Sequence, residues 1–492
     1  MKKIYFAGMA LALILGVCLP AAAKDALVVA DPCDVATMDP IGHDTLASDR
    51  ACNAIYDTLI CRDPTDDRAV PGLAESWEIL SGTEYKLHLR KGVTFHNGEE
   101  MKAEDVRYSL LRAKTGEYFR NLDDVEIVDD YAVIVRLKNA DYSFLPFLSH
   151  NWSSIVNKKA VEAAGDSYGT NPVGTGPFKF TSWRKGDKYV LERFDDYWGP
   201  KPKYKTLEVR SIPEPSRRMR ELESGQVDIA FSIADENIKR VEKNDNLILY
   251  RVPQSSVGFL GFNCKKKPLD DVRVRRAIFS ALDVASIHSG VWSGVGKVPK
   301  SLFPEPIRYS IDAEIAPHVQ DAALAQSLLD EAGVKNLKLE IWTDGCKKRV
   351  DIAAVIRLQL QKIGIAADVK VLEGNLYLNQ LKENTHDLFI MGWPSPILDP
   401  NFSASSLLET GAEHNHTLFS DAKLDELLRK GRGTPDGDER AAIYKEMQLY
   451  LNEQLPMIYL YAGESIVGAQ NYVKGFKPSF SENHSFLEVY FD

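Results

Sequence analysis

Apolar side chains recur along the chain with two different periods. Residues 26–30 (ALVVA) form a short apolar run, 85–89 (YKLHL) alternate strictly, and 131–137 (YAVIVRL) are β-branched; all three predict strands. Ile352, Val355, Ile356, Leu360 and Ile363 fall on one face of a helix; Gly364 supplies its stop, and 365–372 resumes as a strand. Ser420 is placed to cap a helix whose stripe is Leu424, Leu427 and Leu428, and 323–332 predicts another helix closed by Gly333. A further strand is predicted at 386–391. The alternation of helix, glycine and strand predicts an α/β fold with mixed sheets.

The N-terminal stretch changes the compartment. Lys2 and Lys3 precede an uncharged run over 4–19, shorter than the roughly 20 apolar residues of a membrane span, and Ala21, Ala22 and Ala23 follow. Residues 1–23 read as a secretory signal, which predicts a periplasmic protein, soluble after cleavage. The alternative is a lipid anchor on Cys18, disfavoured because the residue before such a cysteine is normally small and here is Val17. At roughly 100 to 200 residues per domain, 492 residues predict two or three domains. A net charge of −10 argues against a nucleic-acid partner, whose phosphates need a basic face. Cys33, Cys52, Cys61, Cys264 and Cys346 lack CxxC spacing, so zinc and thioredoxin-like chemistry find no support, and any disulfide pairing stays open.

Reactive constellations are missing too. There is no GxSxG, HExxH or EF-hand spacing, and 290–298 (GVWSGVGKV) puts Val298 where a phosphate loop needs Ser or Thr. In 171–180 (NPVGTGPFKF) no third glycine or helix follows Gly176, so the segment reads as a sharp turn into a strand and not as a dinucleotide fingerprint. Arg273, Arg275 and Arg276 read as the solvated face of a helix that turns Val274 and Ile278 inward. The sequence calls for no cofactor, and a periplasmic enzyme is the disfavoured alternative class.

Five ordered blocks carry a resemblance: LAESWEIL (73–80), YKLHLRKGVTFHNGEEMKAEDVRYSL (85–110), NPVGTGPFKFTSW (171–183), LERFDDYWGPKPKYKTLEVR (191–210) and LGFNCKKKPLDDVRVRRAI (260–278). Together they resemble the family 5 extracellular solute-binding proteins, the dipeptide-, oligopeptide- and nickel-binding components of bacterial ABC importers. The resemblance implies a two-lobed fold around a central cleft. Lobe I would take 24–262 plus 466–492, with 61–170 as a subdomain, and lobe II 263–465. It implies a monomer that closes on a peptide or peptide-like solute and delivers it to the permease subunits. A nickel chelate or an oligosaccharide is the alternative cargo for the same mechanism.

The resemblance also implies site residues. MGWPSPILDP (391–400) matches a ligand-wall segment in which peptide binders carry an aspartate three residues after the tryptophan, paired with the ligand's α-amino group. Here that tryptophan is Trp393 and the position is Pro396. Either Asp399 takes over, or the cargo has no free amino terminus; Asp399 also fits a turn with Pro400. Trp393 would cover a ligand face, and equally suits core packing beside the hinge. Lys347, Lys348 and Arg349 precede a helix expected near Asp351, and the planar fork of Arg349 suits a ligand carboxylate. Thr45 and Ser48, in a loop before a helix expected at 51–55, match the lobe I rim. His414 and His416, in the polar loop AEHNHT, are the weak candidate pair for a metal.

Overall fold

The computed structural model describes residues 24–492, apart from 44, 64–67, 115 and 117–118. Residues 1–23, on which the expected secretory signal and Cys18 fall, lie outside the described residues. Two large sheets dominate. The first has seven strands in the order Leu247–Pro253, Glu464–Gln470, Ile229–Ala230, Ala26–Asp31, Thr206–Ser211, Lys188–Arg193 and Phe178–Arg184. Ala26–Asp31 runs parallel to both neighbours. A parallel neighbour needs a long crossover, and the chain between Asp31 and Thr206 supplies one, carrying an entire subdomain within it. The second sheet has five strands in the order Ala366–Val371, Lys338–Thr343, Leu388–Trp393, Val257–Phe262 and Met457–Tyr461.

The central strands of both sheets are buried on two faces. In the first, Leu27 and Val29 point into one core and Ala30 into another. In the second, Phe389 and Met391 enter one core while Leu388 and Ile390 enter the opposite one. Such strands read as continuous apolar runs, each fully buried large side chain contributing about 1.5–3 kcal/mol. The subdomain is a four-stranded antiparallel sheet, Ala74–Ser81, Glu84–Leu89, Ala132–Leu137 and Leu122–Asp129, covered by the helix Ala103–Ala113. Tyr85, Leu87 and Leu89 alternate inward here, as YKLHL predicts. The subdomain core continues into that of the second sheet, where Phe147 meets Phe402 with ring centroids 5.9 Å apart.

Several boundaries differ from the sequence expectation. The chain passes between sheets before Val257 and not at Phe262–Asn263, because Val257–Phe262 pairs with Leu388–Trp393 and Met457–Tyr461. Gly258 and Gly261 make this possible: a Cβ on either would collide with the rings of Tyr461 or Phe389. The return lies between Tyr461 and Glu464, where Gln254 N–H donates to Gly463 at 2.9 Å. A third segment braces the crossing. Lys297 and Ala462 exchange two backbone hydrogen bonds, at 3.0 and 2.7 Å, and Val295 inserts into a core of the first lobe. Gly296 sits at φ +76°, and a Cβ there would lie 2.3 Å from the Ala462 carbonyl, so the brace requires glycine.

Asp421, not Ser420, caps the helix Ala422–Gly433. Arg275 is buried and not solvated: its guanidinium donates to the Gln454, Leu455, Leu269 and Asp270 carbonyls and thereby closes the end of the helix Asp438–Gln454. All five described cysteines are free thiols.

Candidate ligand cleft

The segment 391–400 begins as a central strand and ends as a helix. Trp393 is the last residue of Leu388–Trp393, paired with Val257. Pro394 and Pro396 have no N–H to continue the ladder, so the chain leaves the sheet. Pro400 then opens the helix Pro400–Leu408, with Asp399 as its cap, accepting from Asn401 N–H at 3.0 Å.

The segment's acceptors are engaged one after another. Ser255 Oγ donates to the Ser395 carbonyl, Arg62 Nη1 to Pro396 O at 2.7 Å, Ser395 Oγ to Ile397 O at 2.7 Å, and Arg308 N–H to Leu398 O at 2.9 Å. The Asp399 carboxylate meets Arg440 Nη1 at 2.8 Å, and the two side chains are 1% and 0% exposed. Asp399 is therefore committed to a helix cap and an ion pair, which absorbs the charge that the sequence left available.

Donors are in the opposite situation. Trp393 is only 8% exposed, its ring centroid 6.1 Å from Phe402 and 5.1 Å from His414, yet its buried Nε1–H finds no acceptor in the protein. The same holds for Nε of Arg349. Arg349 lies in the first turn of Lys347–Gln361, a helix that starts four residues before the expected Asp351. It pairs with Asp344 and lies beside Gly392 and Tyr461: a Cβ on Gly392 would sit 3.0 Å from Arg349 Nη2 and 2.9 Å from the Tyr461 hydroxyl. Lys348 crosses between the lobes to Asp235 at 2.7 Å, and its Nζ lies 5.7 Å from the Trp292 ring centre.

The other expected residues are structural in this geometry. The helix at the lobe I rim begins at Leu46 and not at Ala51; Thr45 is its cap, and Ser48 is buried inside it, accepting from Ala36 and Thr37 N–H at 3.0 and 3.3 Å. His416 is buried, its ring centroid 6.4 Å from that of His414 and nearly perpendicular to it. Burial, then the neighbouring His414, pushes His416 down to about 4, so it is neutral at pH 7. Among the described residues, no group of three or more histidine, cysteine or acidic side chains is placed to hold a metal ion.

The seam between subdomain and lobe II was not predicted. Asn401 Nδ2 donates to Ser143 Oγ at 3.0 Å, Tyr142 N–H to the Arg432 carbonyl at 2.7 Å, and Arg120 meets Glu413 at 2.8 Å. Asp141 sits in this seam, 7% exposed, taking hydrogen bonds from Ser143. Burial raises its carboxyl to about 6 against the lowering hydrogen bond from Ser143; nearby Asp399 adds to the rise and Arg432 opposes it. The folded group thus holds its proton more tightly than the unfolded one at 3.8. Its stabilisation is complete below about pH 4 and is lost as pH rises through about 6, an interval worth about 3 kcal/mol at roughly 1.4 kcal/mol per unit. Asp141→Asn is expected to flatten the stability profile over that interval, as read by thermal denaturation across pH.

Comparison with known proteins agrees with this architecture. The chain is 28% identical over 474 residues to the dipeptide-binding protein of Escherichia coli, covering 88% of each. It is 28% identical over 470 residues to the glutathione-binding protein GsiB of Pectobacterium atrosepticum, covering 92% of this chain and 90% of that one. The periplasmic binding protein DppA from Helicobacter pylori, solved with the peptide STSA, superposes with a TM-score of 0.84 at 29% identity, over 95% of this chain and 98% of that one. Residues 68–415 match the model of the bacterial extracellular solute-binding proteins, family 5 middle region. With two lobes, a braced crossing and this match over most of its length, the chain belongs to the family 5 bacterial extracellular solute-binding proteins, the periplasmic binding components of ABC importers.

Proposed function

We propose that this protein captures a peptide or peptide-like small solute lacking a free α-amino group, and that its closed form delivers the solute to the permease. The observation that carries this reading is the commitment of Asp399 to Arg440. With Pro396 where peptide-binding relatives are expected to hold an acid, no carboxylate of the segment is left for a ligand ammonium. A charge-assisted hydrogen bond contributes about 1.5–3 kcal/mol, and an enclosed ammonium without one is worse off still.

Closure provides the mechanism. A ligand that touches both lobes binds the closed form better than the open one, and that difference in affinity shifts the population. Trp393 would form the lobe II wall and Arg349 would meet a ligand carboxylate. No covalent step is required, and the protein acts as a monomeric receptor and not as an enzyme. Native mass spectrometry of protein purified without refolding tests the cargo. A bound mass that fragments as a compound without a primary α-amine is expected; ordinary unblocked peptides would refute the reading.

A further inference from the structure

We infer that the ligand meets the Trp393 edge with an oxygen acceptor, a carboxylate or an acyl carbonyl, donated to by Trp393 Nε1–H. The inference rests on the reading of this edge as the ligand wall, and adds the chemistry of the group that occupies it.

Hydrogen-bond accounting along the segment leads there. The carbonyls of Ser395, Pro396, Ile397 and Leu398 and the carboxylate of Asp399 all accept from groups of the chain itself. Pro394 and Pro396 contribute no N–H. Two buried side-chain atoms of the segment make no hydrogen bond: Asp399 Oδ2, whose charge Arg440 Nη1 neutralises at 2.8 Å, and the indole N–H of Trp393, more than nine-tenths buried and without a protein acceptor. A buried donor left unmade costs about 1–3 kcal/mol, so the site favours whatever supplies an acceptor to it. Charge points the same way. Arg62 reaches from the opposite side of the seam onto the Pro396 carbonyl and packs 5.3 Å from the Phe480 ring centre. A ligand ammonium at this end would face a guanidinium, whereas a carboxylate or acyl oxygen would be attracted to it. The class defined by these features is an N-acylated amino acid or short peptide, best of all one whose acyl group carries its own acid.

Calorimetry on the full, ligand-stripped chain tests this with three probes: glycyl-leucine, N-acetylglycyl-leucine and N-succinylglycyl-leucine. Both acylated probes are expected to bind at least about tenfold more tightly than glycyl-leucine, the succinyl form most tightly, consistent with one charge-assisted hydrogen bond. Trp393→Phe keeps the ring and removes the donor. It is expected to cancel that advantage, and circular dichroism verifies that it folds. Arg62→Met is expected to narrow the gap from the other side, by improving glycyl-leucine. If Trp393→Phe leaves all three affinities unchanged, the inference is overturned while the cleft reading stands; if glycyl-leucine binds as tightly as the acylated probes, the inference falls together with the reading of a cargo without a free α-amine. If none of the three gives heat, the inference falls together with the peptide-like reading.

Discussion

Replacing Arg440 with alanine is expected to destabilise the second lobe by about 3–5 kcal/mol, read as a lower midpoint in urea unfolding. The guanidinium is 0% exposed and satisfies three partners: Asp399, Asp436 at 2.8 Å and the Gly431 carbonyl at 2.8 Å. Removing it leaves the Asp399 carboxylate buried without its paired cation, which is far more costly than never having had the pair. The joint replacement Arg440→Met with Asp399→Leu is therefore expected to cost less than the two single changes added together. A joint cost equal to that sum would mean that the two side chains do not act as a pair.

Asp57→Ala is expected to cost the first lobe about 3 kcal/mol, measured the same way. Its carboxylate gathers Thr175 Oγ1 at 3.0 Å, the Tyr197 hydroxyl at 3.1 Å and Trp198 Nε1 at 2.8 Å. Thr175 is fully buried and Tyr197 nearly so. Each donor orphaned in such a place costs about 1–3 kcal/mol, less where water can reach it. Asp57→Asn keeps a carbonyl acceptor, so roughly half the loss is expected. Equal unfolding midpoints for wild type and Asp57→Ala would contradict this account.

The Asp57 site also ties together two of the sequence blocks that carry the resemblance. Thr175 lies in NPVGTGPF and Tyr197-Trp198 in DDYWGP, so both blocks converge on one carboxylate. Gly174 and Gly176 lie against the Ile55 backbone, where a Cβ would come within 2.1 and 2.5 Å. Their turn was legible because close approach and sharp bends leave glycine and proline in the sequence. YKLHL was legible for a similar reason: its sheet has one buried face, which writes period two directly.

Other features left no such trace. The helix at Lys347 has Cys346 as its cap and opens with three charges, so nothing in the local sequence marks its start. Arg275 and Ser48 read as solvent-facing because polar side chains usually are; their burial depends on backbone groups, for Arg275 as far away as Gln454. The Arg62–Pro396 and Asn401–Ser143 contacts join positions hundreds of residues apart, and no periodicity encodes a partner at that distance. Trp393 was legible as a position through the resemblance, but the state of its N–H was not.

Two strands crossing side by side form a strip, and a strip can twist as well as bend. The bracket of Val295, Gly296 and Lys297 adds a third attachment, rooted in the core of one lobe and laced to the connection returning from the other. Three attachments resist torsion while still permitting a single swing. Arg62 over Pro396 and Lys348 on Asp235 are contacts whose alignment such a bracket would hold, so the accuracy with which the lobes meet is set at their connection as much as at the surfaces that face each other.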